Sequence, residues 1–339
     1  ASNTLGIPKE YEMLIVAKPT QPFNDTVKYW LDQYVMHGGK IIWMLESLHA
    51  EIDSLTKSAS MLAMDYNLNL DDLLFRYGVR INPVLLQDMI CNTVPLLSNY
   101  DVKGQPQWMP YPNLYFPVLT PDNNGNMITK GVDAVSTEFC STIDTTNDKS
   151  ISKTILLHSS DSCRVLPTPW MIDFRELRQP PQKENFKAKH YPVAVMVSGK
   201  FQSLYKNRLT EKFLDITQDS LKMPFVESSV PNKMIVIADG DFAKNDIMKG
   251  QPMPLGYHWY NQHYYFNNKA FLLNCVDHLN NHDDHIITRS KTVKLRLLDK
   301  TKIAAEKLKW QLLNLILPIV LSVFFGLIYV FIRRRRFAV

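Results

Sequence analysis

Residues 311–332 read QLLNLILPIVLSVFFGLIYVFI, a run of 22 without a charge, closed by Arg333, Arg334, Arg335 and Arg336. A helix of that length crosses the roughly 30 Å hydrocarbon core of a bilayer. Trp310 stands at one end, Tyr329 and Phe331 near the other, as interfacial aromatic anchors do. Pro318 lacks an N–H, so it frees one carbonyl and can kink the helix unless a packed neighbour or a nearby hydroxyl relieves it. The four abutting arginines favour a cytoplasmic C-terminus over the more dispersed Lys300, Lys302, Lys307 and Lys309 on the other flank. The expectation is a single transmembrane anchor in an inner (cytoplasmic) membrane, with the rest of the chain outside the cytoplasm, in the periplasm of a Gram-negative cell. The chain begins at Ala1 and holds no second apolar stretch of that length, so an upstream export segment is expected.

Charge is distributed to match. Residues 289–339 hold 12 Lys and Arg against two acids, and the remainder of the 339-residue chain is net acidic by five charges. A nucleic-acid-binding domain would carry its basic charge on the folded surface, so that function is excluded. Four divisions follow: an extracytoplasmic domain over 1–288, a basic amphipathic stalk over 289–310, the span over 311–332 and a basic tail over 333–339. In the stalk Lys294, Arg296, Lys300 and Lys302 are placed to meet anionic headgroups of the membrane lipids or a partner subunit.

The body opens with MLIVA (13–17), which reads as a buried parallel strand, then a helix from Asn24 or Asp25 to Met36 with Val27, Trp30, Leu31, Tyr34 and Val35 on one face. His37-Gly38-Gly39 stops the helix and KIIWML (40–45) is the next strand. That order is a βαβ unit, so an α/β fold with a mostly parallel sheet flanked by helices is expected. Asp71 and Asp72 read as helix-start electrostatics, with Gly78 ending that helix and Val79–Ile81 entering the sheet. Residues 98–190 are rich in Pro, Asn, Asp, Thr and Ser, and read as a loop-rich insertion or an irregular part of the same domain, with strand-like runs at 132–139 and 154–157. VAVMV (193–197) and MIVIA (234–238) are further strands, and 268–279 an amphipathic helix.

Chemistry is sparse. There is no GxxxxGK[ST] phosphate loop, GxGxxG, GxSxG or HExxH. His282-Asp283-Asp284-His285 is metal-capable but reads as a tight polar turn. His158, Ser159, Ser160 and Cys163 include a nucleophile and a base without a strand-to-helix elbow to present them. Asp239 and Asp241 lie just past a strand's C-terminal end, where open α/β sheets place ligands, with Asn245 close behind; the competing reading is a turn whose carboxylates cap the next helix. No metal, cofactor or catalytic residue is assigned. Cys91, Cys140, Cys163 and Cys275 form no CxxC pair, which leaves up to two disulfides or buried free thiols open.

Five segments together carry a family resemblance: LIVAKPTQPF (14–23), YWLDQYVMHGGKIIWMLE (29–46), LNLDDLLFRYGVRIN (68–82), MIVIADGDFAKND (234–246) and LRLLDKTKIAAEKLKWQLLNLILPIVL (295–321). They resemble the GldG family, gliding-motility-associated ABC-transporter components of Bacteroidota, from about residue 5 to 336. The resemblance implies an intraflagellar-transport-related domain similar in fold to class I glutamine amidotransferases. It also implies a separate permease and ATPase, GldF- and GldA-like. The amidotransferase cysteine has no counterpart, since Glu46-Ser47-Leu48 follows the second strand, so the resemblance does not carry that activity. The expected function is a non-enzymatic auxiliary, substrate-binding-like subunit. The alternatives are a scaffold of the gliding apparatus or envelope, and, behind it, a hydrolase working through Asp239 and Asp241.

Overall fold

A short edge strand, a capped helix and a fully buried strand start the fold, much as the apolar pattern requires. In the computed structural model, which describes residues 11–58, 60–100, 103–122, 125–187, 189–210, 224–258, 264–291 and 300–337, β1 (Met13–Ala17), α1 (Asp25–Met36) and β2 (Lys40–Met44) form a parallel βαβ unit. Asn24 caps α1 by accepting the Val27 N–H at 2.8 Å, satisfying one of the helix's free donors. Gly38 takes φ +93°, and a Cβ on Gly39 would lie 2.3 Å from the Tyr34 ring, so the turn requires both glycines. β1 is parallel as expected but is not buried: it is the sheet's edge, with Ile15 exposed.

The chain continues through α2 (Ile52–Ser58), β3 (Ser60–Ala63), α3 (Asp71–Arg76), β4 (Val79–Asn82), β5 (Val84–Asp88), β6 (Cys91–Tyr100), β7 (Pro106–Pro121), β8 (Val135–Ser136) and β9 (Thr142–Thr145). It then runs through β10 (Ile151–His158), β11 (Cys163–Pro167), β12 (Trp170–Asp173), β13 (Pro192–Gly199), β14 (Asn232–Ile237), α4 (Asn268–Leu279) and α5 (Asp283–Arg289). The main sheet has the order β1-β2-β14-β13-β10-β7-β6, with β8 beside β7.

Only β1–β2 and β2–β14 are parallel; β14–β13, β13–β10, β10–β7, β7–β6 and β7–β8 are antiparallel. The expected mostly parallel, amidotransferase-like sheet is therefore corrected to a mixed, mainly antiparallel one. A central strand covered on both faces reads as a continuous apolar run whichever way its neighbours point, so VAVMV and MIVIA did not distinguish the two. Val79–Ile81 also departs from expectation, pairing as β4 with β9 in a separate two-stranded ribbon.

Residues 98–190 hold β7 to β12 between their loops, more regular structure than their composition suggests. All of QPQWMPYPNLYFP but its first residue belongs to the 16-residue β7. Over 106–117 β7 is paired with β6, while its contacts to β10 and β8 fall at 118–121. Proline is tolerated on such a one-sided ribbon because its missing N–H breaks no central ladder. The main core unites Trp43, Val195 and Val236 on the sheet with Leu73 on α3, Tyr77 just after it and Phe271 on α4. A second core around Leu85, Tyr115, Phe116, Phe139 and Ile172 lies under the ribbons. All four cysteines are free thiols.

The chain divides into two compact units, 1–291 and 292–339. In the second, α6 (Lys300–Phe337) is one helix, and Glu306–Arg336 is long and apolar enough to cross a membrane, with mean hydropathy 2.8. Trp310 donates its indole N–H to Glu306 Oε2 at 2.9 Å. Ser322 Oγ donates to the Pro318 carbonyl at 2.8 Å, whereas the carbonyl that the proline frees is that of Asn314, four residues earlier.

Candidate functional site

Three neighbouring parallel strands each end in a charged residue on the same edge of the sheet: Lys18 after β1, Glu46 after β2, and Asp239-Gly240-Asp241 after β14. Backbone bonds fix the crest, from Lys18 N to Met44 O at 2.9 Å and from Leu45 N to Ile237 O at 3.0 Å. Glu46 is 1% exposed and Asp239 0%. Glu46 Oε2 accepts the Gly240 N–H at 3.2 Å and Asp239 Oδ2 accepts the Glu138 N–H at 3.1 Å. Among the described residues, Glu46 Oε1 and Asp239 Oδ1 have no hydrogen-bond partner. Lys18 Nζ donates to Asp241 Oδ2 at 2.6 Å, and Lys244 Nζ stands 3.8 Å from Asp241 Oδ1 and 4.0 Å from Glu138 Oε2.

Four carboxyl groups thus share two ammonium groups. Burial, then the charge on Asp239, pushes Glu46 well above the ordinary carboxylate range. Burial, then Asp241, does the same to Asp239, and burial raises Glu138 to about 7 against the pull of Lys244. Burial among like charges favours the protonated, neutral form of such carboxyls. Beside the crest Ser47 Oγ is bonded to Ser141 Oγ, and burial pushes the nearby Cys140 thiol well up, which favours its protonated form. Glu46 and Ser47 line an open cleft of about 450 Å³; Glu138, Asp239 and Asp241 line a smaller one of about 50 Å³.

Asp239 and Asp241 are brought together, and the Asp239 carboxyl accepts the Glu138 N–H across the crest, with the Asp241 backbone also bearing on it. Asn245 is not part of the cluster, because its amide is spent on the Met253 carbonyl at 2.7 Å. Lys18, Glu46, Glu138 and Lys244 were missed. The available signal was that the apolar runs MLIVA, KIIWML and MIVIA are each followed at once by a charged residue.

Asp72 accepts from Lys28 Nζ at 2.7 Å as well as from the Leu73 N–H, so its role exceeds the helix start. His158 Nδ1 meets the Ser159 carbonyl at 2.8 Å, the Cys163 thiol donates to the Lys189 carbonyl, and Ser159 Oγ lies 3.1 Å from Cys163 Sγ. His282 and His285 come together with Asp277, their ligand atoms within 4.8 Å of one another. Arg289 already binds Asp277 Oδ2 at 2.5 Å. Lys294 and Arg296 lie outside the described residues. Lys300 and Lys302 fall in the first turn of α6, Pro318 and Tyr329 within its apolar stretch, and Arg333 to Arg336 at its end.

The family model for an ABC-type uncharacterized transport system, auxiliary component, matches residues 2–275. A solved structure, "mmIFT52 N-terminal domain", is 13% identical with a TM-score of 0.35, covering 84% of this chain and 80% of that one; likeness at that level carries no argument. No curated protein matches significantly. With the model spanning most of its length, the chain belongs to the family of auxiliary components of ABC-type transport systems.

Proposed function

We propose that the chain is a non-enzymatic, membrane-anchored subunit of a transporter linked to gliding motility, working with separate GldF-like permease and GldA-like ATPase subunits. The 1–288 body lies in the periplasm, the 289–310 stalk meets lipid headgroups or the permease, residues 311–332 span the inner membrane, and the 333–339 tail is cytoplasmic. What supports this reading is the family match joined to an apolar helix ending in four arginines. The lack of a phosphate loop assigns ATP hydrolysis to another chain. The crest carboxyls then act as a binding or gating edge.

The test is to extract native membranes in mild detergent, purify the chain and identify what accompanies it by mass spectrometry. A permease and an ATPase in fixed proportion are expected. Envelope or motility proteins without either subunit would replace this reading with a scaffold, and normal spreading of a deletion strain would remove the gliding link.

A further inference from the structure

We propose that the cleft beside Glu46 binds an organic cation, a primary ammonium carried on a compact apolar body. Its volume of about 450 Å³ falls in the range of small-molecule sites, roughly 300–1,000 Å³. Leu45, Leu70, Leu74 and Ile81, all buried, make apolar walls. Four acidic side chains line the same cleft, the buried carboxyl of Glu46 within and Asp65, Asp71 and Asp72 at the exposed rim, against the single guanidinium of Arg80. Lys28 neutralises Asp72 at 2.7 Å. Among the described residues no ion pair within 4.0 Å matches Glu46, Asp65 or Asp71.

The second observation is Glu46 itself. Its side chain is sealed from water, one oxygen accepts from Gly240, and the other accepts nothing. A buried carboxyl oxygen without a donor is costly, and an ammonium supplies both the donor and the opposite charge. Lys18, the nearest amine, is committed to Asp241. Burial holds Asp71 above its ordinary value, with Asp65 adding to the effect, as expected of a rim short of cations. A bare metal ion suits the cleft poorly. The ligand atoms that converge tightly enough for one, among the described residues, are those of Asp277, His282 and His285 elsewhere. An extended ligand, charged at one end and apolar along its body, satisfies walls and carboxyls together.

The inference stands apart from the transporter reading, because binding is measured on the purified chain whatever its partners. The full chain in phosphatidylcholine nanodiscs is titrated calorimetrically with benzylammonium, benzyl alcohol and phenylacetate. Benzylammonium is expected to bind and its neutral and anionic isosteres to fail. Glu46→Gln should weaken it roughly tenfold or more, Asp71→Asn less, and the remote Asp284→Asn not at all. Thermal unfolding of each variant checks the fold, and Asp71→Asn tests the site from the exposed rim if Glu46→Gln unfolds. No heat from benzylammonium at about 10 mM, where even a weak site fills, would overturn the proposal. So would equal binding of the alcohol, or affinity unchanged in folded Glu46→Gln or, failing that, in Asp71→Asn.

Discussion

Gly240 packs its backbone directly on Glu46: the Gly240 N–H donates to Glu46 Oε2 at 3.2 Å, and a Cβ at residue 240 would lie 3.0 Å from the Glu46 Cβ. This approach joins the ends of β2 and β14 and holds the two buried carboxyls side by side. The glycine is needed for space rather than for backbone freedom, since its φ is −76°.

Gly240→Ala is therefore expected to destabilise the body by about 1–3 kcal/mol, the usual cost of forcing a methyl into a packed site. Besides the Glu46 Cβ, the new methyl would meet the Lys18 Cγ at 2.9 Å and the Glu46 nitrogen at 3.1 Å. Lys18 can swing aside; the Glu46 backbone cannot. Urea denaturation measures the loss, and wild-type stability in the variant would show that the crest is loosely packed.

Asp32 carries a different load. It is fully buried on α1, accepting Ser203 Oγ at 2.6 Å, Tyr77 OH and the Leu204 N–H at 2.9 Å, and Gln33 Nε2 at 3.1 Å. Asp32→Ala strands several buried donors at once and is expected to cost about 3 kcal/mol or more. Asp32→Asn keeps acceptor capacity and should cost less. Equal losses in the two variants would show that the charge and second acceptor oxygen, which Asn lacks, carry the whole contribution of Asp32.

Legibility followed locality. The β1–α1–β2 unit was readable because Asn24 and Gly38-Gly39 punctuate it within a few residues. The prolines of β7 hid a strand, since a one-sided ribbon tolerates what a central strand does not. Sheet direction was hidden because VAVMV is buried on both faces. Glu46 was seen only as a missing cysteine. A lone glutamate after an apolar run has no motif; it becomes a site when the β2–β14 pairing brings Asp239 from 193 residues further along the chain. Asn245, next to the aspartates in sequence, turned out to serve its own loop.

Stability should fall as pH rises from about 5 to 7. Glu138 has a folded value of about 7 against 4.5 ordinarily. Between those values the native state keeps a proton that the unfolded chain has lost, so the contribution is fully present below 4.5 and gone above 7. Glu46 and Asp239, raised chiefly by burial, act with the same sign. His258, lowered by burial, works in the opposite direction, so the decisive measurement is a difference. The denaturation free energy of Glu138→Gln relative to wild type should change across this window; parallel pH curves would contradict the assignment.

The four thiols should resist alkylation in the native state. Burial pushes Cys91 up to about 12, and Cys140 and Cys275 well above the ordinary thiol value. Burial also raises Cys163, whose thiol donates to the Lys189 carbonyl. Because the thiolate is the reactive form, iodoacetamide at neutral pH is expected to label all four only after denaturation, and rapid native labelling of any one would place it outside the packed core.

The four arginines supply the last test, of which way the chain lies in the membrane. Arg333 to Arg336 end α6 directly against its apolar stretch, while the lysines of the opposite flank are spread over ten residues. Translocating four abutting guanidinium groups is opposed by the charge bias that sets topology, so the C-terminus should stay in the cytoplasm. A cysteine appended after Val339, with half-buried Cys91 replaced by serine and the other three native thiols buried, should be protected from a membrane-impermeant maleimide in intact spheroplasts and labelled after lysis. Replacing all four arginines with glutamine should weaken that protection, because only the more dispersed lysines would then set the bias. A tail cysteine labelled from outside in the unmodified chain would invert the orientation, placing the acidic body and its carboxyl crest in the cytoplasm.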